Sequence, residues 1–346
     1  MVVFISQLRG NMPKVSVLMP VYNTAEEFLR EAIESILNQT FTDFEFIIIN
    51  DGSTNNAKET ILSYEDKRIS YVENEQNIGL IKTLNKGLSL AQGEFIARMD
   101  SDDISLPKRF EKQVEFFEKN PEIGILGTWF KYIPSNRVIE PFTDSKKIKE
   151  CLLVNSNTIG HPTVMIRKSV IDEFSIKYDE NAIYVEDYAL WLSLIDKVNF
   201  ANLDEVLLEY RVLKDGICGT NVIPQSLNCQ KIMFEAQGKY FTVDNQKVIN
   251  SIEKLKNNEK VSSSELTNIK KFTNQIIKEM RKQGFKQDYE VNKDFYTYAI
   301  KRCKKDLLFY KILWDTNLDR ILKLRFSFKV INSIRFLYPE FKNTKN

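Results

Sequence analysis

Short apolar runs alternate with amphipathic stretches over the first 130 residues. The run VSVLMP at 15–20 reads as a strand that stops at proline. Phe28, Leu29, Ala32, Ile33, Ile36 and Leu37 then fall on one helix face, and Asn23-Thr24 is positioned to cap that helix. FEFIII at 44–49 is a second strand, with the unbroken apolar stretch expected of a parallel strand covered on both faces. Residues 50–54 (NDGST) follow as a turn that also caps a helix. A third strand at 69–72, a helix face of Leu80, Ile81, Leu84, Leu88 and Ala91, and a fourth strand at 95–97 continue the alternation. Phe110, Val114, Phe116 and Phe117 mark a further helix and 123–126 a fifth strand. Strand and helix in turn, with short connections, predict a doubly wound α/β sheet over this region.

Residues 130–185 are less regular, up to a short apolar run (TVMI) at 163–166. Glu186-Asp187 opens a helix with Leu190, Trp191, Leu194 and Ile195 on one face. Beyond about residue 225 the chain is Lys-rich and helical in character. The expected organisation is an N-terminal extension over 1–12, a catalytic unit over 13–220 and a helical, basic region over 221–346.

The 346 residues are 43% hydrophobic and 28% charged, ordinary for a protein that builds its own core. Cys151, Cys218, Cys229 and Cys303 form no paired motif, so neither a disulfide framework nor a zinc site is expected, and a reducing compartment fits. No apolar stretch approaches a membrane span, and the first residues lack the features of a secretory leader; a cytoplasmic location is expected. The net charge of +2 is unevenly spread. Residues 301–346 hold twelve Lys and Arg against four Asp and Glu, interleaved with Leu, Ile, Phe and Trp. Such a tail reads either as a packed helical appendage or as an interfacial helix on the anionic inner face of the cytoplasmic membrane. No nucleic-acid-binding motif accompanies it.

The candidate chemistry sits where strands end. In open α/β sheets ligands bind beyond the carboxyl ends of the strands. Asp51 follows the second strand and Asp100, Asp102 and Asp103 follow the fourth, in a loop ending at Pro107, which suits the first turn of a helix. In an extended loop the one-apart spacing of Asp100 and Asp102 puts both carboxylates on one side. Clustered carboxylates call for a compensating cation, and all-oxygen ligands suit Mg²⁺ or Mn²⁺. A plain solvated turn is the competing reading. Asp51 is able to accept from a base N–H, and Pro20 and Tyr22 to flank a planar base. Arg98 pairs either with these carboxylates or with phosphate. Asp187 is the candidate general base, with Glu186 beside it to raise its pKa or orient an acceptor; capping the helix is the alternative. Trp191 fits a core or a sugar-stacking role, and the lone His161 a structural, acceptor-binding or metal-ligating one.

Six motifs in order carry a resemblance: VSVLMPVYN (15–23), SILNQT (35–40), NDGST (50–54), NIGL (77–80), GEFIARMDSDD (93–103) and EDYALWL (186–192). Over about residues 13–213 the chain resembles the family 2 glycosyltransferases of GT-A fold, inverting enzymes that use nucleotide-diphospho-sugars, with a UDP-sugar as the expected donor. The resemblance implies a mixed sheet flanked by helices, with Asp51 at the base, Asp100 at the ribose or metal shell, Asp102 as metal ligand and Asp187 as base. It implies a glycan or lipid-linked acceptor, as in bacterial surface polysaccharide synthesis. One position departs: many relatives have a histidine two residues after the Tyr-Arg pair, and here Leu213 stands there, leaving Asp102, diphosphate and water, or His161, to complete the shell. Residues 214–220 then read as a lid over bound donor. A nucleotidyltransferase would need a Gly- or Arg/Lys-rich phosphate loop after the first strand, where VYNTA stands, and an inactive sugar-nucleotide binder would not need every acidic position filled.

Overall fold

The computed structural model describes residues 12–153, 157–213, 222–257, 259 and 262–282. Four parallel strands open the chain: β1 (Val15–Val21), β2 (Phe44–Asn50), β3 (Ile69–Glu73) and β4 (Phe95–Arg98). They lie in the order β3-β2-β1-β4, with Val15 opposite both Phe44 and Phe95. Helices α1 (Glu26–Leu37), α2 (Ala57–Leu62) and α3 (Leu80–Leu90) make the crossovers. The unbroken apolar runs have their expected cause. Val15, Val17 and Met19 pack with Leu29 and Ile33 of α1 on one face, while Leu18, Ile47 and Ile49 meet Leu84 and Leu88 of α3 on the other. Each large side chain buried in this way contributes about 2 kcal/mol.

The second half of the sheet departs from a simple doubly wound pattern. The remaining strands are β5 (Ile104–Ser105), β6 (Ile123–Ile133), β7 (Val138–Ile139), β8 (Met165–Arg167) and β9 (Asn199–Arg211). β8 inserts antiparallel between β4 and β6, β9 runs parallel to β6, and β5 pairs antiparallel with β9. The expected fifth strand is therefore longer than 123–126 and is not a neighbour of β4. β9 has no counterpart in the sequence reading. Register shifts around Trp129 break the two-residue alternation by which a strand is read, and exposed Asp204 and Glu205 fall inside it.

The expected caps also differ. α1 begins at Glu26 after Ala25, with no side-chain cap. Asn23 and Thr24 instead serve the loops: Asn23 Oδ1 accepts from the Thr54 amide at 2.8 Å, and the Thr24 and Ser101 hydroxyls meet at 2.6 Å. The 50–54 turn caps no helix, since α2 begins only at Ala57. Pro107 precedes α4 (Arg109–Lys119) rather than entering it, and its carbonyl accepts from the Thr40 amide.

Three more helices, α5 (Ser145–Leu152), α6 (Lys168–Phe174) and α7 (Glu186–Ser193), complete the α/β unit. The helices α8 (Val222–Tyr240), α9 (Gln246–Lys256) and α10 (Ser263–Lys282) follow. Their Leu227, Phe234, Ile252 and Phe272 join the same apolar cluster as Tyr188 and Trp191 of α7, so the core runs continuously into these helices. No helix among the described residues is long and apolar enough to cross a membrane. The expectations for the extension at 1–11, the lid at 214–220 and the basic tail at 301–346 fall outside the described residues.

Candidate active site

Three turns meet beyond the carboxyl ends of β1, β2 and β4. The first two are tied together. Asn23 donates its amide to Ser53 Oγ at 3.0 Å, and Asn55 Nδ2 donates to the Thr24 carbonyl at 2.8 Å. Asn50 Oδ1 accepts from the Ser53 amide at 3.0 Å, closing the NDGST turn. Gly52 sits at φ +67°, and a Cβ there would lie 2.5 Å from the backbone carbonyl carbon of Gln76. Both the left-handed conformation and the close approach require glycine. Gly52→Ala is expected to destabilise the fold by about 2 kcal/mol or more, read as a lower midpoint in chemical denaturation.

Asp51 is 3% exposed, and its carboxylate organises the neighbouring loop. Oδ1 accepts from Asn74 Nδ2 at 2.8 Å and the Ile78 amide at 3.0 Å, and Oδ2 accepts from the Gly79 amide at 3.0 Å. A carboxylate offers about four lone-pair directions, so capacity for a further donor is left. Pro20 is buried inside β1, and of the two residues expected to flank a base only Tyr22 is open, at 49% exposure.

The acidic loop is a turn at Ser101-Asp102, not the extended segment on which the same-side argument rests. The two carboxylates interact nonetheless. Burial, followed by the charge of Asp100, raises the Asp102 carboxyl to about 6. Asp103 is 1% exposed, its Oδ1 accepts from the Arg211 amide at 2.8 Å, and burial with the two neighbouring carboxylates raises it as well. Arg211 also donates from Nε to the Asp102 carbonyl at 2.8 Å, so the end of β9 fixes the loop.

Arg98 lies at the centre. Burial opposes its charge, the paired Asp100 carboxylate outweighs burial, and its pKa is raised. Its charge also acts on Asp103, His161, Tyr178, Glu186 and Asp187. The carboxylates of the β4 loop and those of α7 thus both feel the guanidinium charge. Its Nε has no hydrogen-bond acceptor among the described residues. Behind it, the fully buried Arg109 donates from Nη2 to the Arg98 carbonyl at 2.8 Å and, more weakly, to the Val164 carbonyl at 3.3 Å. Burial, then the charge of Arg98, pushes Arg109 down to about 9.

Glu186 and Asp187 occupy the first turn of α7, where the helix dipole favours negative charge. Burial and then the Asp187 charge raise Glu186 to about 7, and burial raises Asp187. Asp187 accepts from the Tyr188 amide at Oδ1 and from Asn157 Nδ2 at Oδ2, both at 2.7 Å. His161 is buried with Nε2 2.9 Å from the Tyr178 hydroxyl and Nδ1 4.0 Å from Glu186. Burial, then the charge of Arg98, lowers its pKa well below the usual imidazole range, so the ring is neutral. Trp191 is fully buried and edge-on to His161 at 6.2 Å, so its ring offers no open face for stacking on a sugar.

Asp100 and Asp102 fit a divalent cation. They are acidic, mutually repelling and backed by one arginine, so added positive charge would favour their ionised forms. Among the described residues no three potential ligands converge on one point, so the remaining coordination positions would fall to water and a diphosphate, as is usual for Mg²⁺.

The comparisons with known proteins bear on this arrangement. The sequence profile of Glycosyl transferase family 2 matches residues 16–174. A glycosyltransferase of Methanocaldococcus jannaschii is 40% identical over 209 residues, covering 58% of this chain and 71% of the relative. This chain belongs to glycosyl transferase family 2. The UDP-Glc:alpha-D-GlcNAc-diphosphoundecaprenol beta-1,3-glucosyltransferase WfgD of Escherichia coli is 32% identical over 205 residues, covering 59% of this chain and 79% of WfgD. The crystal structure of S. aureus TarS 1-349 in complex with UDP-GlcNAc superposes with a TM-score of 0.58 at 17% identity, covering 84% of this chain and 88% of that one. At that identity the likeness concerns the fold, and it bears out the expected GT-A architecture of a mixed sheet flanked by helices. The chain is a glycosyltransferase.

Sequence reasoning singled out Asp100, Asp102, Glu186 and Asp187, and the structure gathers them around Arg98. It passed over Asn157, Tyr178, Arg109 and Arg211. Arg211 was open to detection only by recognising β9. Asn157 lies 30 residues from its partner and has no local signal.

Proposed function

We propose that this glycosyltransferase moves a sugar from a nucleotide-diphospho-sugar, a UDP-sugar by preference, to a hydroxyl of a glycan or lipid-linked acceptor, with inversion at the anomeric carbon. The observation that carries this reading is the pair of carboxylate sets that feel the charge of buried Arg98: Asp100 and Asp102 after β4, Glu186 and Asp187 at the start of α7. The UDP-glucose and diphosphoundecaprenol substrates in the name of the E. coli relative support the choice of donor and acceptor class.

In this reading Tyr22 and Asp51 receive the base and Asp100 the ribose. Asp102 would hold Mn²⁺ or Mg²⁺, which when bound would neutralise the diphosphate and stabilise its departing charge. Asp187 removes the proton from the acceptor hydroxyl as the hydroxyl oxygen attacks the anomeric carbon. The bond from that carbon to the diphosphate oxygen breaks on the opposite side, and the nucleoside diphosphate leaves. A raised carboxyl suits a base that must hold a proton briefly near neutral pH. Glu186, poised near 7, orients the acceptor hydroxyl. A lipid-linked acceptor would bring the enzyme to the inner face of the cytoplasmic membrane.

Release of nucleoside diphosphate from a panel of UDP-, GDP- and dTDP-sugars, with Mn²⁺ or with EDTA, tests the reading. One donor is expected to be turned over in Mn²⁺ and to survive in EDTA. Equal turnover in EDTA, or turnover of none, would contradict it.

A further inference from the structure

Asp187 is held by a residue that belongs to neither its helix nor the sheet. Asn157 Nδ2 donates to Asp187 Oδ2 at 2.7 Å, while Asn157 Oδ1 accepts from the Ile159 amide at 3.3 Å. The second bond uses the amide oxygen and so turns the NH₂ end toward the carboxylate. With the Tyr188 amide on Oδ1, each oxygen of Asp187 has one fixed donor, and lone pairs are left for a substrate hydroxyl.

Helix α8 bonds to the end of α5 and to the segment before α7. Gln237 Nε2 of α8 donates to the Leu153 carbonyl at 2.6 Å, where the Tyr188 hydroxyl of α7 also donates to the Leu152 carbonyl at 2.5 Å. Gln225 Nε2 donates to the Tyr184 carbonyl at 3.0 Å and Asn228 Nδ2 to the Ile183 carbonyl at 2.8 Å, anchoring the approach to Asp187. Among the described residues, the charged and titratable groups that interact electrostatically with Asp187 include Glu186 on its own helix, Arg98 of β4, Tyr178, and Cys229 of α8. Burial, then the Asp187 charge, pushes the Cys229 thiol up to about 12, so it stays protonated.

We propose that Asn157 is a positioning residue for the Asp187 carboxylate, while α8 holds the backbone that leads into α7. This rests on the reading of Asp187 as the base. A donor aimed at the ionised carboxylate favours the charged form and fixes its orientation toward the acceptor. Burial raises Asp187, and the Asn157 bond offsets part of that rise.

Asn157 is exposed, so its variants are expected to fold. Asn157→Asp keeps the shape, removes the donor and adds a like charge; Asn157→Ala removes the donor alone. The Asp187 carboxyl is titrated by carbon-13 NMR in the full chain, its resonance assigned by its absence from Asp187→Asn. It should titrate higher by about one pH unit in Asn157→Ala and further in Asn157→Asp. Turnover of the donor selected in the panel should fall by about 10- to 100-fold, with the donor KM unchanged and the acid limb of the rate profile moved upward. A purely structural asparagine would leave the Asp187 titration and the acid limb unmoved in Asn157→Ala. If the carboxyl titrates at the wild-type pH in both variants, or Asn157→Asp keeps wild-type turnover, the proposal is overturned. Wild-type turnover in Asp187→Asn would instead remove the base assignment, and the positioning role with it.

Discussion

Replacing Asp187 by asparagine is expected to lower turnover by about 10²- to 10⁴-fold, the range typical for loss of a positioned general base. The side chain keeps its size, and its Oδ1 can still accept from Tyr188, so the fold should be retained. The donor KM should be nearly unchanged, because in the proposed reaction the carboxylate serves the acceptor hydroxyl rather than the nucleotide. The pH profile of the wild-type enzyme follows from the same environment. Burial raises Asp187, and Glu186 beside it stands near 7. The base acts in its ionised form, so activity should rise as pH climbs through the range in which this pair ionises and fall on acidification. A solvent-exposed aspartate would keep its activity to well below pH 5. Because the two carboxyls lie side by side, the acid limb belongs to the pair rather than to either residue. Steady-state rates of nucleoside diphosphate release from pH 5 to 9 check both expectations.

Asp102→Asn is expected to act on the other half of the site. The substitution removes one negative charge from a loop that holds Asp100, Asp102 and Asp103 within four residues. It should weaken the metal-dependent binding of donor and lower kcat/KM by about 10²-fold or more, roughly 3 kcal/mol of transition-state stabilisation. Raising Mn²⁺ should recover part of the loss, which it should not do for Asp187→Asn. The fold is expected to survive, since Asp102 lies in a like-charged cluster whose mutual repulsion the substitution relieves. Initial rates across a Mn²⁺ series, with each variant compared with wild type, distinguish the two effects.

The first four strands and their crossovers were legible because each obeys one period. Residues 17–20 and 46–49 are apolar throughout and buried on both faces, and α1 and α3 place their apolar residues at helical spacing. The second half was less legible for a physical reason. β9 pairs with β6 through irregular register, so neither strand shows a clean alternation, and three-residue β8 is too short to announce that it separates β4 from β6. The caps misled because Asn23 and Thr24, good capping residues by type, are committed to tying the loops of β1, β2 and β4 together.

The site divides in the same way. Its acidic residues were legible because they fall at strand ends or at a helix start, where their chemistry is unusual. The residues that hold them were not. Asn157, Arg109 and Arg211 reach their partners across 30, 11 and 108 residues, and nothing in their own neighbourhoods marks them. His161 and Trp191 drew attention by type; both are buried, His161 bonded to the Tyr178 hydroxyl and Trp191 packed in the core.

Two separable functions around Arg98 are the centre of this account, and calorimetric titration of UDP in Mn²⁺ into wild type, Asp102→Asn and Asp187→Asn tests them most directly. Asp187→Asn is expected to bind within about threefold of wild type, and Asp102→Asn at least about 10-fold more weakly, a difference of roughly 1.4 kcal/mol or more. Equal affinity in Asp102→Asn and wild type, or equal losses in both variants, would contradict it.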